Sequence, residues 1–176
     1  MKKIAATVLA ASLLASCSTV SEPTRKIIAT ATLLSPDGSI MGNATIAAVG
    51  SDRLALHVDA RNVPAGSHGT HLHETGRCAP RDFKSAGGHL NPFGAAHGTL
   101  NPKGSHLGDL PNLQVAPDGT GTLDIGLMGS RKNLEPAIFD ADGTAIVIHA
   151  GPDDYATDPS GASGGRIACG VFARVR

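Results

Sequence analysis

Residues 53–61 read RLALHVDAR, and their side chains alternate between apolar and polar or small. Leu54, Leu56 and Val58 stand at every second position. A repeat of two residues places the apolar side chains on one face of an extended chain. The segment is therefore predicted to form a half-buried β-strand.

Similar patterns recur along the chain. The same alternation occurs in residues 123–127 and 167–175. Further candidate strands are 27–34 and 43–49. A short apolar run at 144–149 is typical of a strand buried on both sides. One Pro-Asp-Gly turn follows residues 27–34 and another precedes residues 123–127, and no segment shows a convincing helical period. These features predict an all-β fold, an antiparallel sandwich or flattened barrel of about eight strands.

The overall composition limits the function classes. The chain has 176 residues, enough for one domain, and its 15 basic residues balance its 15 acidic residues. Tryptophan is absent, and only four phenylalanines and one tyrosine occur. The sequence therefore offers neither the excess positive charge nor the aromatic surface of a nucleic-acid partner.

The N-terminus has the features of an export signal. Lys2 and Lys3 precede a short apolar run, and Leu-Ala-Ser-Cys at 14–17 resembles a bacterial lipobox. We expect residues 1–16 to be a lipoprotein signal peptide, 17–25 a tether lipidated at Cys17, and 26–176 the folded domain; ordinary cleavage near Ala15 or Ser16 is the alternative. Such a protein would be periplasmic and membrane-anchored, and Ser18 favours the outer membrane.

Export also bears on the two other cysteines. If Cys17 carries lipid, Cys78 and Cys169 are free to form a disulfide in an oxidising compartment. The alternative is a pair of buried thiols.

Residues 75–112 form a long segment that is rich in Gly and Pro and nearly lacks β alternation. Loops of that length in a compact domain are usually functional or disordered. Histidines in and around this segment favour function, and with one aspartate they form a candidate metal-ligand set: His71, His73, His89, His97, His106, Asp109 and His149. An all-imidazole set suits Cu(II), and three histidines with one aspartate suit Zn(II).

The motifs HGTHLHE, SAGGHLNP, HG, HLGDLPNL, VIH and GGRIACGV occur in this order between His68 and Val171. Together they resemble the exported bacterial form of the copper/zinc superoxide dismutase family. The resemblance implies an eight-stranded Greek-key sandwich with long metal-binding loops, and one copper and one zinc ion per subunit. Copper would be bound by His71, His73, His89 and His149, and zinc by His89, His97, His106 and Asp109.

The resemblance also implies roles beside the metals. His89 would bridge the ions and relay a proton, and Arg166 would guide the superoxide anion. Asp153 would orient His71 and His97. Cys78 and Cys169 match the family's disulfide. The implied reaction converts superoxide to oxygen and hydrogen peroxide.

Several residues receive simpler interpretations. We expect His57 to be solvated, His68 to form structural hydrogen bonds and Glu74 to cap or pair locally. We expect Lys84 to be solvated; the alternative is that it helps to attract superoxide.

Two other functions remain open at this stage. The chain could be a periplasmic metal buffer or a structural lipoprotein domain. Bacterial members that resemble it occur as monomers and as dimers, so a homodimer is also left open.

Overall fold

The computed structural model describes residues 24–175. The predicted signal peptide and the lipidation site at Cys17 lie outside the described residues. Within them, the structure contains ten strands and one α-helix: β1 Arg25–Leu34, β2 Ile40–Val49, β3 Arg53–Ala60, β4 Gly66–His68, β5 Thr70–His73, β6 Leu113–Val115, β7 Gly121–Gly126, α1 Arg131–Ile138, β8 Ala145–His149, β9 Arg166–Val171 and β10 Ala173–Arg174.

Eight of these strands form one curled antiparallel sheet, which makes a half-barrel. Its order is β5-β8-β9-β1-β2-β3-β7, with β10 paired to β1, while β4 and β6 form a separate two-stranded ribbon. The late strands β8 and β9 thus lie between β5 and β1. This order places β5 beside β8. The predicted all-β antiparallel fold is confirmed.

Strand β3 shows how the sequence pattern builds the core. Leu54, Leu56 and Val58 are fully buried, whereas the side chain of His57 is partly exposed and lies 3.5 Å from Asp124. Burying each of the larger apolar side chains contributes about 2 kcal/mol. The predicted half-buried strand is confirmed.

The alternation predicted through residue 175 is wrong at its C-terminal end. Val171 and Val175 are exposed, while Phe172, between β9 and β10, is buried in the core. Further back in β9, the adjacent residues Ala168 and Cys169 are both buried, Ala168 in the main core and Cys169 in a second cluster with Phe83. Both faces of β9 are therefore covered there, which removes the simple two-residue pattern.

The sequence pattern also missed the helix α1. It has only eight residues, and its two buried side chains are Leu134 and Ile138. Two turns are too short to establish a helical period, although the spacing of four residues between these side chains is the signal it leaves. No helix within residues 24–175 has the length and hydrophobicity to cross a membrane.

Candidate metal centre

Strands β5 and β8 supply three of the predicted ligands. His71 and His73 lie on β5, which pairs with β8, and β8 ends at His149. The predicted irregular segment 75–112 contains only the 3-10 helix Lys84–Ala86. It folds back onto β5, because the amide of Leu72 donates to the carbonyl oxygen of Gly108. The remaining predicted ligands lie on this loop.

The first group of ligand atoms comes from His71, His73, His89 and His149. One nitrogen from each lies within 4.8 Å of those of the others, and all four residues are buried. His71 Nδ1 and the Nε2 atoms of the other three have no hydrogen-bond partner within residues 24–175. Buried polar atoms nearly always have a partner. Four orphan nitrogens that converge on one point therefore fit a metal ion.

The second nitrogen of each ring fixes which nitrogen is free. His73 Nδ1–H donates to the carbonyl oxygen of Gly87 (3.0 Å), and His149 Nδ1–H donates to that of Gly164 (3.0 Å). Because a carbonyl oxygen can only accept, each Nδ1 carries the proton and each Nε2 keeps its lone pair. Both histidines are thus held in the tautomer that can bind a metal.

The second group consists of His89, His97, His106 and Asp109. Oδ1 of Asp109 lies 2.9 Å from His89 Nδ1, 3.0 Å from His97 Nδ1 and 3.1 Å from His106 Nδ1. The other carboxylate oxygen accepts from the amides of Gly98 and His106, at 2.8 and 2.9 Å. Three imidazole nitrogens and one carboxylate oxygen are the donor set of a tetrahedral zinc site.

His89 belongs to both groups. Its Nδ1 faces Asp109 in the second group, and its Nε2 is one of the orphan nitrogens of the first. A single imidazole ring therefore separates the two sites.

Burial favours the neutral form of His73, His89 and His149 in the first group. It is the largest cause that lowers the pKa of His73 to about 2, of His149 to about 3 and of His89 to about 4. Burial alone would raise the pKa of Asp109, but hydrogen bonds from His89 and Gly98 hold it well below its usual range. At neutral pH these three histidines thus offer unprotonated nitrogens and Asp109 offers a carboxylate.

Asp153 links the two groups from behind. Its Oδ2 accepts from His71 Nε2–H (2.7 Å) and its Oδ1 accepts from His97 Nε2–H (3.0 Å). These bonds leave Nδ1 of His71 for the first group and Nδ1 of His97 for the second. The three residues could also hold an ion themselves, but each histidine already turns its other nitrogen to one of the two groups.

Comparison of the chain with known proteins identifies a family whose members resemble it in sequence and in fold. Residues 40–172 match the family described as "Copper/zinc superoxide dismutase (SODC)". "Superoxide dismutase [Cu-Zn] 2" of Aquifex aeolicus is 40% identical over 177 residues, covering 98% of this chain and 99% of that protein. "Superoxide dismutase [Cu-Zn]" of Caulobacter vibrioides is 42% identical over 148 residues, covering 82% of this chain and 84% of that protein. The crystal structure of a superoxide dismutase-like protein from Bacillus subtilis aligns with a TM-score of 0.77 at 40% identity, covering 83% of this chain and 99% of that one.

The chain belongs to the copper/zinc superoxide dismutase family. The relatives of this chain are named as copper- and zinc-containing dismutases. The two ligand groups and their shared histidine agree with that pair of metals.

Arg166, the residue predicted to guide superoxide, lies beside the first group of this dismutase-family site. Its guanidinium donates from Nη1 to the carbonyl oxygen of Phe83 and from Nη2 to that of Gly87, both at 2.7 Å. The Gly87 oxygen also accepts from His73. The cation is thus fixed next to a ligand of the first group and is partly exposed.

The predicted disulfide between Cys78 and Cys169 is confirmed. The bond joins the metal-bearing loop to β9 across 91 residues. In the chain-entropy model, closing a loop of this length contributes roughly 4.5 kcal/mol to stability.

Sequence reasoning missed the residues that hold Asp153. Asn112 Oδ1 accepts from the amide of Asp153 (2.8 Å), and Asn112 Nδ2–H donates to its carbonyl oxygen (2.9 Å). Gly161 packs against the same carboxylate at a φ of +62°, where a Cβ would overlap Asp153 Oδ1 and lie 2.8 Å from His97 Nε2. The position of Asn112 at the end of the irregular segment was the one signal available.

His68 and Lys84 behave as predicted, whereas the partner of Glu74 lies 14 residues along the chain and is not local. His68 is buried, and its ring nitrogens lie 2.8 Å from the carbonyl oxygens of His149 and Pro64. Glu74 accepts from the amide of Gly88 (2.9 Å), and the exposed Lys84 lies 3.3 Å from Asp82.

Proposed function

We propose that this chain converts superoxide to oxygen and hydrogen peroxide with one copper and one zinc ion. One superoxide gives up an electron and becomes oxygen; a second takes up that electron and two protons and becomes hydrogen peroxide. The single observation that supports this proposal best is that His89 is shared: one of its ring nitrogens faces each ligand group.

We assign copper to the first group and zinc to the second. The first offers four buried imidazole nitrogens and no carboxylate, as Cu(II) prefers. The second offers three imidazoles and Asp109, as zinc prefers. Copper, when bound, supplies the reversible one-electron chemistry, and zinc supplies a fixed charge.

The residues around the ligands preorganise the site. Asp153, Gly87 and Gly164 each accept a hydrogen bond from the proton-bearing nitrogen of a ligand histidine. The orientation of the metal-facing nitrogens is therefore fixed before any ion binds. This arrangement favours tight binding because little reorganisation remains to be done. It also supports an enzyme over a metal buffer, since a buffer needs no shared imidazole and no adjacent cation.

Two side chains are assigned to the reaction itself. Arg166 attracts the anionic substrate to the edge of the copper group and pairs with its charge. Nε2 of His89 holds a proton during the cycle and returns it to the peroxide product. The role of His89 is assigned from the position of its Nε2, which faces the first group and has no hydrogen-bond partner among the described residues.

The deciding experiment follows superoxide decay by pulse radiolysis on the copper- and zinc-loaded protein and on His149→Ala. Removing this imidazole deletes one copper-facing nitrogen and leaves the second group complete. We expect the decay rate to fall by at least about a hundredfold, as losses around metal ligands do, while zinc content by mass spectrometry stays constant. His57→Ala is the matched control, because His57 is partly exposed and belongs to neither ligand group. Bound copper with decay no faster than in free solution would leave a metal-binding protein instead.

We further propose that the protein is a periplasmic lipoprotein anchored through Cys17, in the outer membrane. The support is the sequence at 14–17 together with Ser18. Mass spectrometry of the mature N-terminus tests the anchor, since Cys17→Ala should lose the lipid and leave the membrane fraction. A monomer and a homodimer are both compatible with this function, and analytical ultracentrifugation distinguishes them.

A further inference from the structure

One end of the half-barrel is where the chain enters the domain. The amide of Gly50 donates to the carbonyl oxygen of Thr24 (3.1 Å), and the amide of Arg131 donates to that of Asp52 (2.7 Å). The start of β1, the turn between β2 and β3, and the start of α1 are therefore neighbours. We call residues 24–27, 50–53, 131–132 and 174–175 the tether end.

The tether end is basic. Without residues 1–16 the chain has 13 basic and 15 acidic residues, and six of the basic ones lie here: Arg25, Lys26, Arg53, Arg131, Lys132 and Arg174. Among residues 24–175, the acidic residues in or against this region are Asp52, Asp124 and Glu135. The rest of the domain consequently carries a clear excess of negative charge.

Half of these cations are available to an external partner. Arg25 pairs with Asp124 at 2.8 Å, while Arg131 and Arg174 both meet Glu135. Lys26, Arg53 and Lys132 are exposed, and none of them forms an ion pair with another residue in the described part of the chain.

Exposed apolar side chains accompany these charges. Ile27 is 50% exposed and Val175 is 51% exposed. They are neighbours, because the amide of Val175 donates to the carbonyl oxygen of Ile28 (2.9 Å). Apolar side chains ringed by lysine and arginine are typical of surfaces that lie on anionic membranes.

The geometry separates this end from the metal centre. Strand β1 runs from Arg25 to Leu34, and ten residues of strand span roughly 30 Å. Leu34 pairs with Cys169 on β9, which begins at Arg166. Cys17 precedes Thr24 by seven residues, which reach at most about 25 Å.

We propose that the tether end rests on anionic phospholipid headgroups and that the copper group points away from the membrane into the aqueous phase. The inference relies on the lipid anchor proposed above. A lipid at Cys17 holds the domain close to the bilayer, and the unpaired cations and exposed apolar side chains then select which face meets it.

The test uses the full lipoprotein reconstituted in vesicles, labelled with an amine-reactive reagent and analysed by mass spectrometry. Vesicles of phosphatidylcholine alone are compared with vesicles that also contain phosphatidylglycerol. Lys26 and Lys132 report on the tether end, and Lys84 reports on the side of Arg166. We expect labelling of Lys26 and Lys132 to slow by about fivefold or more in the anionic vesicles, with Lys84 unchanged and with the protection reversed by high salt.

A matched pair of variants isolates the charge. Arg53 and Arg61 are both exposed, at opposite ends of β3, and neither is a reporter. Arg53→Glu should abolish most of the protection of Lys26 and Lys132, and Arg61→Glu should preserve it. Circular dichroism of both variants verifies the fold.

The outcomes separate the proposals. Equal labelling of Lys26 and Lys132 in the two vesicle types, in protein that floats with the vesicles, overturns the orientation and leaves the anchor standing. Protein that does not float overturns the anchor and the orientation together. Superoxide decay measured on the same sample tests the enzymatic function independently.

Discussion

Nη2 of Arg166 lies 2.7 Å from the carbonyl oxygen of Gly87, so the arginine at the start of β9 is bound to the loop that carries His89. The same oxygen accepts from His73 Nδ1 at 3.0 Å. One backbone carbonyl therefore positions both the cation beside the copper group and one of that group's ligands. This coupling makes the loop conformation important for substrate attraction and metal binding alike.

Replacing Arg166 should slow the reaction without emptying the site. We expect Arg166→Ala to lower the superoxide decay rate by about tenfold at low ionic strength, because a local positive charge that raises the encounter rate is lost. Copper and zinc contents, measured by mass spectrometry, should stay near those of the parent protein. Arg61→Ala, which removes an exposed arginine away from the site, should leave the rate unchanged. An equal loss in both variants would show that general charge, and not this position, matters.

Gly161 should tolerate no side chain. In Gly161→Ala the new Cβ would overlap Asp153 Oδ1 at a φ of +62°, a backbone region that residues other than glycine rarely adopt. We expect a loss of more than about 1 kcal/mol in unfolding free energy and weaker retention of both metals, because His71 and His97 lose their orienting partner. Urea denaturation and competition with a chelator measure these effects. Gly165→Ala is the control, since a Cβ there meets nothing within 4 Å; matching losses in the two variants would contradict the role of the Asp153 contact.

Breaking the disulfide should destabilise the loop that carries the ligands. For Cys78→Ser with Cys169→Ser, we expect unfolding free energy to fall by roughly 4 kcal/mol, because the unfolded chain is no longer cross-linked over 91 residues. Differential scanning calorimetry of the metal-loaded protein with and without reductant provides the comparison. A melting temperature that does not change on reduction would show that other contacts hold the loop.

The metal-free protein should lose stability on acidification. Burial lowers the folded-state pKa of His73, His89 and His149 from 6.5 to between about 2 and about 4. The unfolded chain therefore binds more protons below pH 6.5, and stability falls as pH decreases, by on the order of 1 kcal/mol per pH unit for each histidine.

Asp153 extends this loss to lower pH. Burial alone would raise its pKa, but hydrogen bonds from His71 and His97 lower it from 3.8 to about 2. Its contribution should be present above pH 4 and disappear as pH falls toward 2. Urea midpoints recorded at a series of pH values measure both effects. A midpoint that is constant between neutral pH and pH 4 would contradict the histidine contribution.

Much of the fold and of the site was predictable from local sequence. The alternation in 53–61 identified a half-buried strand because side-chain direction in a strand repeats every two residues. The ligand residues were found because few side chains carry a lone pair that binds copper or zinc, and their clustering around glycines is rare. The helix α1 and the inward turn of Phe172 were missed, since two helical turns and a strand covered on both faces leave no clear period.

Residue types and spacing thus settled the all-β class, the family resemblance and the set of candidate ligands. Only the tertiary structure decided which nitrogen of each histidine is free, because the other nitrogen is held by a partner elsewhere in the chain: Gly87 is 14 residues from His73, and Asp153 is 82 residues from His71. The same holds for the basic tether end, whose basic residues come from β1, the start of β3, the start of α1 and β10. Hydrogen bonds and electric fields depend on distance in space, and no local pattern records the contacts that folding creates.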